Sequence, residues 1–147
     1  MEDTKNGIRS AIRLFMDNDW VELMNVKIYE PTLSHRIALY LESNFGQEFN
    51  IDCEYSKSLA GPKMNDDGTV VRPDIIIHRR GSNERNLAIF EIKKCSPSSI
   101  LGVADINKIR SYRNLNYQIG IFVGVLKRCV HVVWVYRDGR IVEEVIS

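Results

Sequence analysis

Ala88-Ile89-Phe90-Glu91-Ile92-Lys93-Lys94 is a strand-length apolar run with charge placed at alternate positions near its end. Side chains alternate along a strand, so Glu91 and Lys93 share one face while Ile92 points to the other, into a core. A second run, Arg72-Pro73-Asp74-Ile75-Ile76-Ile77, lies just upstream, with the turn Arg80-Gly81-Ser82-Asn83 between the two strands. A turn that short favours antiparallel neighbours, which brings Asp74 towards Glu91 and Lys93. Pro73 is tolerated where a strand starts or runs at an edge, since one ladder donor is dispensable there. Two carboxylates and an ammonium are thus expected on one small patch.

Working outward, the chain before this pair carries two helices. Ile8, Ile12, Leu14 and Phe15 recur at helical spacing over residues 4–16, with Thr4 as a cap. Asp17-Asn18-Asp19 is expected to end that helix, and residues 20–29 read either as a short helix or as an extended stretch. The clearest helix starts at Pro31, buries Leu33, Ile37, Leu41 and Phe45 on one face, and stops at Gly46. Strands follow over 49–59, 70–79 and 87–94, with a turn at Asn65-Asp66-Asp67-Gly68.

Beyond the pair, a helix is predicted from the Ser96-Pro97-Ser98-Ser99 segment to about Asn114. Ile100, Val103, Ala104 and Ile109 form its inward face, and Asp105, Lys108 and Arg110 its polar one. Residues 117–126 and 130–136 are nearly continuous apolar runs, as central strands are, and Asp138-Gly139 turns into a last strand over 141–146. The order implies an α/β fold with a mixed central sheet flanked by helices. One domain is expected over residues 1–147, with 1–27 as an N-terminal helical extension, 28–126 as the core and 127–147 as C-terminal strands.

The chain has 147 residues, 44% hydrophobic and 27% charged, with a formal net charge of +1. That balance excludes a strongly basic nucleic-acid coat. Its distribution is uneven: residues 1–60 hold 6 Lys/Arg against 10 Asp/Glu, and 61–147 hold 14 against 9. The later segment can therefore present a positive face to phosphates. No apolar run is long enough for a membrane span, and no leader pattern is visible, so a cytoplasmic protein is expected. Cys53, Cys95 and Cys129 show no metal spacing and read as buried free thiols in a reducing compartment.

Two carboxylates held together repel, so keeping both ionised calls for a cation between them. Asp74, Glu91 and the Ile92 carbonyl are oxygen donors of the kind Mg²⁺ or Mn²⁺ prefers. Such an ion polarises a phosphoryl oxygen, and Lys93 can orient a water or offset developing charge. The Glu-x-Lys spacing by itself is weak, because Asp3-Thr4-Lys5 matches it too. Pro73-Asp74 on the adjacent predicted strand distinguishes the later match.

With Pro73-Asp74 and Glu91-Ile92-Lys93 in this element order, residues 28–126 resemble the PD-(D/E)XK nuclease superfamily. The resemblance implies a restriction-endonuclease-like αβββαβ core and an Mg²⁺- or Mn²⁺-dependent nuclease acting on nucleic acid, DNA rather than RNA. It implies a further acid from the first core helix; Glu30 is the choice over Glu42. The stretch from Glu30 to Arg36, followed by Glu54-Tyr55, is similar to small stand-alone members. Lys94, Lys108, Arg110 and Arg113 are the basic candidates for nucleic-acid contact, and the resemblance implies Lys108 and Gln118 beside the site.

Plainer readings stand beside these. Glu91 and Lys93 can be a solvated same-face pair, and Glu30 a favourable anion at a helix start. Asp105 and Lys108 can be a surface pair three residues apart. His35 and Arg36 read as surface groups, His78 and His131 as structural or exposed, and Glu54 as either exposed or an outer acid. Asp66-Asp67-Gly68 is a hairpin turn rather than a calcium loop. The competing function is a catalytically silent module of the same fold that binds nucleic acid or a partner protein, and a third is a toxin or defence component needing a partner. A homodimer is expected on geometric grounds, with the N-terminal helix as its interface.

Overall fold

The computed structural model describes residues 1–58, 61–96 and 102–147. Helix α1 (Glu2–Phe15) runs through a π turn (Met16–Trp20) into α2 (Val21–Asn25), and α3 follows (Glu30–Phe45). Next come β1 (Asn50–Cys53), the short pair β2 (Lys57–Ser58) and β3 (Gly61–Pro62), then β4 (Ile75–His78) and β5 (Ala88–Lys94). Helix α4 (Val103–Arg110) leads to β6 (Ile119–Val125), β7 (Val130–Tyr136) and β8 (Ile141–Ile146). Six strands form one sheet in the order β1-β4-β5-β6-β7-β8. β5 and β6 are parallel and the other neighbours antiparallel, so the sheet is mixed, as expected of this α/β chain.

Period-2 alternation sorts the sheet into two faces. Ile75, Ile77, Phe90, Ile92, Ile121 and Val123 share a core with α1 and α3. Ile76 and Ile89 pack with Tyr112 and Tyr117 on the other side, and Phe122 and Val133 with Ile109 of α4. Glu91 lies on this second side, between Ile89 and Lys93 in the alternation. The C-terminal strands extend the same sheet, and β7 is buried along nearly its whole length.

Several sequence expectations need correction. Helix α1 is no extension: Ile8, Ala11, Ile12 and Phe15 are fully buried in the main core, the three larger side chains contributing about 2 kcal/mol each. Arg9 Nε donates to Glu144 at 2.9 Å, and the Lys5 ammonium lies 5.0 Å from the Trp134 ring. Its apolar face is covered by its own sheet and α3. The helix begins at Glu2 rather than at a Thr4 cap. Nor does it end at Asp17. Asp19 accepts hydrogen bonds from Arg36 at 2.9 and 3.1 Å and from the Tyr40 hydroxyl at 2.8 Å, and Trp20 Nε1 donates to the Leu126 carbonyl at 2.8 Å. These long-range bonds outweigh the weak helix preference of Asp and Asn.

The first predicted strand is cut to β1 because Glu54 takes φ 49°, outside the strand region, with its N–H on the Asp74 carbonyl at 3.1 Å. The strand expected over 70–79 narrows to β4, since Pro73 lacks an N–H and Val70 makes only an isolated bridge to Met64. Asn65 Oδ1 accepts from the N–H groups of Asp67 and Thr69, which makes residues 65–68 a side-chain-stabilised turn. Cys53 is exposed rather than buried, and all three thiols are free.

Helix α4 is shorter than expected, and residues 97–101, including Ile100, lie outside the described ones. Val103 and Ala104 are exposed, not inward, while Ile109 is buried as expected. Two glycines explain this roll. Gly102 takes φ +67° where an added Cβ would sit 2.8 Å from the Phe122 ring, and at Gly120 a Cβ would collide with Ile109. Both let α4 lie close on β6, with Asp105 and Lys108 turned to β5.

Candidate active site at the β4–β5 junction

Asp74 sits one residue before β4, and its N–H donates to the Phe90 carbonyl at 3.1 Å. That bond carries the ladder past Pro73 and aims the side chain along β5. Asp74 Oδ2 accepts from the Ile92 N–H at 2.6 Å. The carboxylate is thereby fixed against the strand between Glu91 and Lys93. Burial raises its pKa, the Ile92 N–H and Lys108 oppose this, and Asp105 and Glu54 add to it. Within one strand residue the N–H and C=O face the same neighbour, so the Ile92 carbonyl also faces Asp74 rather than β6. The Ile92 side chain is in the core, as its place in the alternation requires.

Glu91 is 3% exposed. Its two oxygens are held separately: Lys108 Nζ donates to Oε2 at 2.7 Å and the Tyr112 hydroxyl to Oε1 at 2.8 Å. Burial pushes the carboxyl up to about 7; the Lys108 hydrogen bond lowers it, the Asp74 charge raises it, and the Tyr112 hydrogen bond lowers it. Burial and the neighbouring carboxylates raise the Tyr112 hydroxyl in turn, so it stays a donor. Glu91 is therefore the group whose protonation is poised near neutrality.

Lys93 shares the Glu91 face but lies beyond the covered part of the strand, with its side chain 51% exposed. Its ammonium is 3.7 Å from Asp105 Oδ2, while Lys108 goes to Glu91. The expected Asp105–Lys108 surface pair is thus replaced by two bridges from α4 to β5. Glu30, at the start of α3, is open to solvent, yet its carboxyl pKa is raised. Desolvation of the carboxyl end leads, Lys93 opposes it, and Asp74 and Asp105 add to it. Four acids, Glu30, Asp74, Glu91 and Asp105, and two ammoniums, Lys93 and Lys108, are linked in this way.

Of the remaining candidates, Lys94 donates to the Val26 carbonyl at 3.1 Å and ties the segment before α3 to the end of β5. The others lie elsewhere. Arg110 Nη2 points to the Gly139 carbonyl, and with Arg113 it lines a shallow cavity of about 30 Å³ shared with Tyr136 and Arg137. Gln118 is exposed at the start of β6, its N–H on the Asn86 carbonyl at 3.1 Å. Since β5 and β6 are parallel, this is the opposite end of the sheet from Glu91 and Lys93. His78 is structural, bonded through Nε2 to Asp52 at 2.8 Å.

Tyr112 is the residue that sequence reasoning missed. Asp105, Lys108 and Tyr112 are spaced three and four apart, one face of the helix predicted to Asn114, although α4 itself ends at Arg110 and Tyr112 lies in the turn after it. That spacing was readable, but its register against β5 depends on the two glycines under α4.

Asp74, Glu91 and the Ile92 carbonyl are hard oxygen donors, so they fit a divalent cation in kind. Among the described residues, no three His, Cys, Asp or Glu side chains gather closely enough to hold a metal ion. In this arrangement the Lys108 ammonium occupies the Glu91 oxygen facing α4, and Asp74 Oδ1 makes no protein hydrogen bond among the described residues. No helix among the described residues is long and apolar enough to cross a membrane.

No family model and no curated protein matches the chain. A solved structure, the crystal structure of SSO0001, aligns at 21% identity with a TM-score of 0.39, covering 95% of this chain. This chain spans 62% of that one, and a similarity of that grade carries no argument about fold family or chemistry.

Proposed function

We propose that the protein is a metal-dependent nuclease that hydrolyses phosphodiester bonds in DNA through the β4–β5 junction. The observation that carries this reading is the Asp74 carboxylate held 2.6 Å from the Ile92 N–H, against the strand that bears Glu91 and Lys93. Asp74, Glu91 and the Ile92 carbonyl would hold Mg²⁺ or Mn²⁺, which supplies a polarised phosphoryl oxygen and a water of lowered pKa. Lys93, exposed beside them, meets the phosphate and offsets charge in the transition state. Glu30, with its raised pKa, accepts or returns a proton at the solvent side of the site. Lys108 holds Glu91 in place and balances its charge.

Asp74→Ala and Lys93→Ala are each expected to lower Mg²⁺-dependent cleavage of a supercoiled plasmid by about 100-fold or more, with far-ultraviolet circular dichroism unchanged. Cleavage at the wild-type rate in either purified variant overturns the assignment.

One observation favours a second reading, a silent module that binds nucleic acid without cutting it. Both oxygens of Glu91 already have donors, Lys108 and Tyr112. Calorimetric titration with Mn²⁺ separates the two: millimolar Mn²⁺ without heat of binding, alongside retained DNA binding, selects the module.

A further inference from the structure

Arg110 ends α4, Arg113 lies in the turn after it, and both reach the β7–β8 hairpin. Arg110 Nη2 donates to the Gly139 carbonyl at 3.4 Å, and Arg113 Nη2 lies 3.6 Å from where a Cβ on Gly139 would stand. Gly139 takes φ +88° and carries no side chain, so that corner stays open. From the hairpin itself, Arg137 Nη2 donates to Asn116 Oδ1 at 3.4 Å, and the Arg140 guanidinium lies 4.1 Å from the Tyr136 ring centroid. Arg110, Arg113 and Arg137 line one cleft with Tyr136, and Arg140 covers that ring at its edge.

Carboxylates do not match this charge. Among the described residues, Arg140 alone of the four forms an ion pair, to Asp138 at 4.0 Å, with both side chains more than half exposed. Asp66, the other acid at this turn, accepts the Asn114 N–H at 3.1 Å and pairs with none of the arginines. Four guanidiniums gathered against one loosely held carboxylate repel each other unless an anion joins them. The cleft between them is about 30 Å³, room for about one water-sized group, over the side chains of Ile89, Ile109 and Val135. That space seats a phosphoryl oxygen and excludes a base or a sugar.

Guanidinium forks match phosphate oxygens in pairs, and a dianion answers several of them at once. A phosphate that is free, or esterified at one oxygen, turns three oxygens to the rim. A phosphodiester has two and a single charge. We propose that the Arg110–Arg113–Arg137–Arg140 cleft binds a phosphate dianion, free or as the monoester end of a small molecule. Tyr112 lines the cleft while its hydroxyl donates to Glu91, so the phenol stands between this site and the β4–β5 junction. The proposal does not rest on the nuclease reading.

The probe is inorganic phosphate, titrated into full-length ¹⁵N-labelled protein in EDTA at constant ionic strength, with amide shifts read by NMR. The Gly139 and Asn116 amides are expected to move and to saturate with a Kd of about 1 mM. Arg113→Gln and Arg137→Gln should each weaken binding about tenfold, while Arg128→Gln, exposed in the β6–β7 turn, should stay within about twofold. Arg113 and Arg137 are exposed, so both variants are expected to keep the wild-type dispersion of amide shifts. A nucleoside 5′-monophosphate binding about tenfold more tightly than phosphate identifies a monoester as the source, and equal affinity identifies free phosphate. No shift at Gly139 up to ~20 mM of either overturns the proposal, as does an equal loss in Arg128→Gln. An oligodeoxynucleotide lacking a terminal phosphate that moves the same amides at lower concentration also overturns it, and gives the cleft to nucleic acid.

Discussion

Two carboxylate clusters lie on adjacent strand pairs and differ in their charge balance. At the β1–β4 edge, Asp52 accepts from His78 Nε2 at 2.8 Å, from Arg80 Nε at 2.9 Å, and from Arg80 Nη2. Burial acts to raise its pKa, but the Arg80 and His78 hydrogen bonds win and hold it below the usual carboxylate range. At the β4–β5 junction, Asp74 and Glu91 have donors too, yet both are raised because burial, helped by neighbouring carboxylates, wins. Carboxylate, cation and hydrogen bond are present in each. What separates a structural ion cluster from a chemically poised one here is first the deeper burial of Asp74 and Glu91, and then the further carboxylates beside them.

The largest effect that can break this comparison is on Glu91. Glu91→Gln keeps the shape, removes the charge and leaves the half-exposed Lys108 free to rehydrate. Cleavage should fall by about 100-fold or more, while stability at pH 8 stays level or rises. Full activity would place Glu91 with Asp52 as a structural acid.

Next comes the pH dependence of stability. The folded Glu91 carboxyl sits at about 7 against an ordinary 4.5. The folded protein therefore binds that proton more tightly than the unfolded chain. Its contribution is fully present below pH 4.5 and is lost as pH rises through about 7, by at most about 3 kcal/mol. Urea unfolding at pH 5 and pH 8 should show wild type losing stability and Glu91→Gln losing less. Asp74, also raised, acts in the same sense as Glu91, and His78, whose pKa burial lowers, in the opposite one. Asp52 behaves oppositely. Its contribution is present above its ordinary 3.8 and disappears as pH falls through its lowered folded value.

A smaller effect is expected at Asp52 itself. Asp52→Ala removes the hydrogen bonds to His78 and Arg80, for about 1–2 kcal/mol at neutral pH, discounted because Arg80 is largely solvated. Burial lowers the His78 pKa, so the imidazole left behind is neutral and tolerable. Cleavage should stay within about twofold of wild type. A large loss of cleavage with stability intact would join the two clusters into one site.

The parts of this contrast differ in how far they were legible. Glu91 and Lys93 on one face, and Ile92 in the core, follow from the period of a strand. Asp74 at the mouth of the neighbouring strand follows from Pro73. The partners do not follow. Asp105 meets Lys93 and Lys108 meets Glu91 because Gly102 and Gly120 let α4 settle onto β6, a tertiary fact with no period in the sequence. Glu54 leaves its strand through a left-handed φ that Glu rarely adopts, so no local preference announces it. The N-terminal helix was misjudged for a related reason. Its amphipathic face is plain, but whether a sheet or a second copy covers it is decided only by the fold.

The smallest expected effect tests which end of the sheet carries the chemistry. The nuclease resemblance implies Gln118, at the mouth of the next strand, as a contact beside the site. The parallel register Ala88↔Ile119 and Glu91↔Phe122 instead sets Gln118 level with Leu87, about 13 Å along the strand from Glu91. Arg113 faces the β7–β8 hairpin with Arg137 and Tyr136. Gln118→Ala and Arg113→Ala should therefore change stability by no more than about 0.5 kcal/mol, since neither is in the core. Single-strand affinity in each should stay within about twofold, because a phosphate contact has to lie on the path of the strand to matter. A fall of about fivefold or more in Gln118→Ala would put nucleic acid across the strand starts. The junction of Asp74 with β5 would then be only one end of a longer track, with Gln118 at the other.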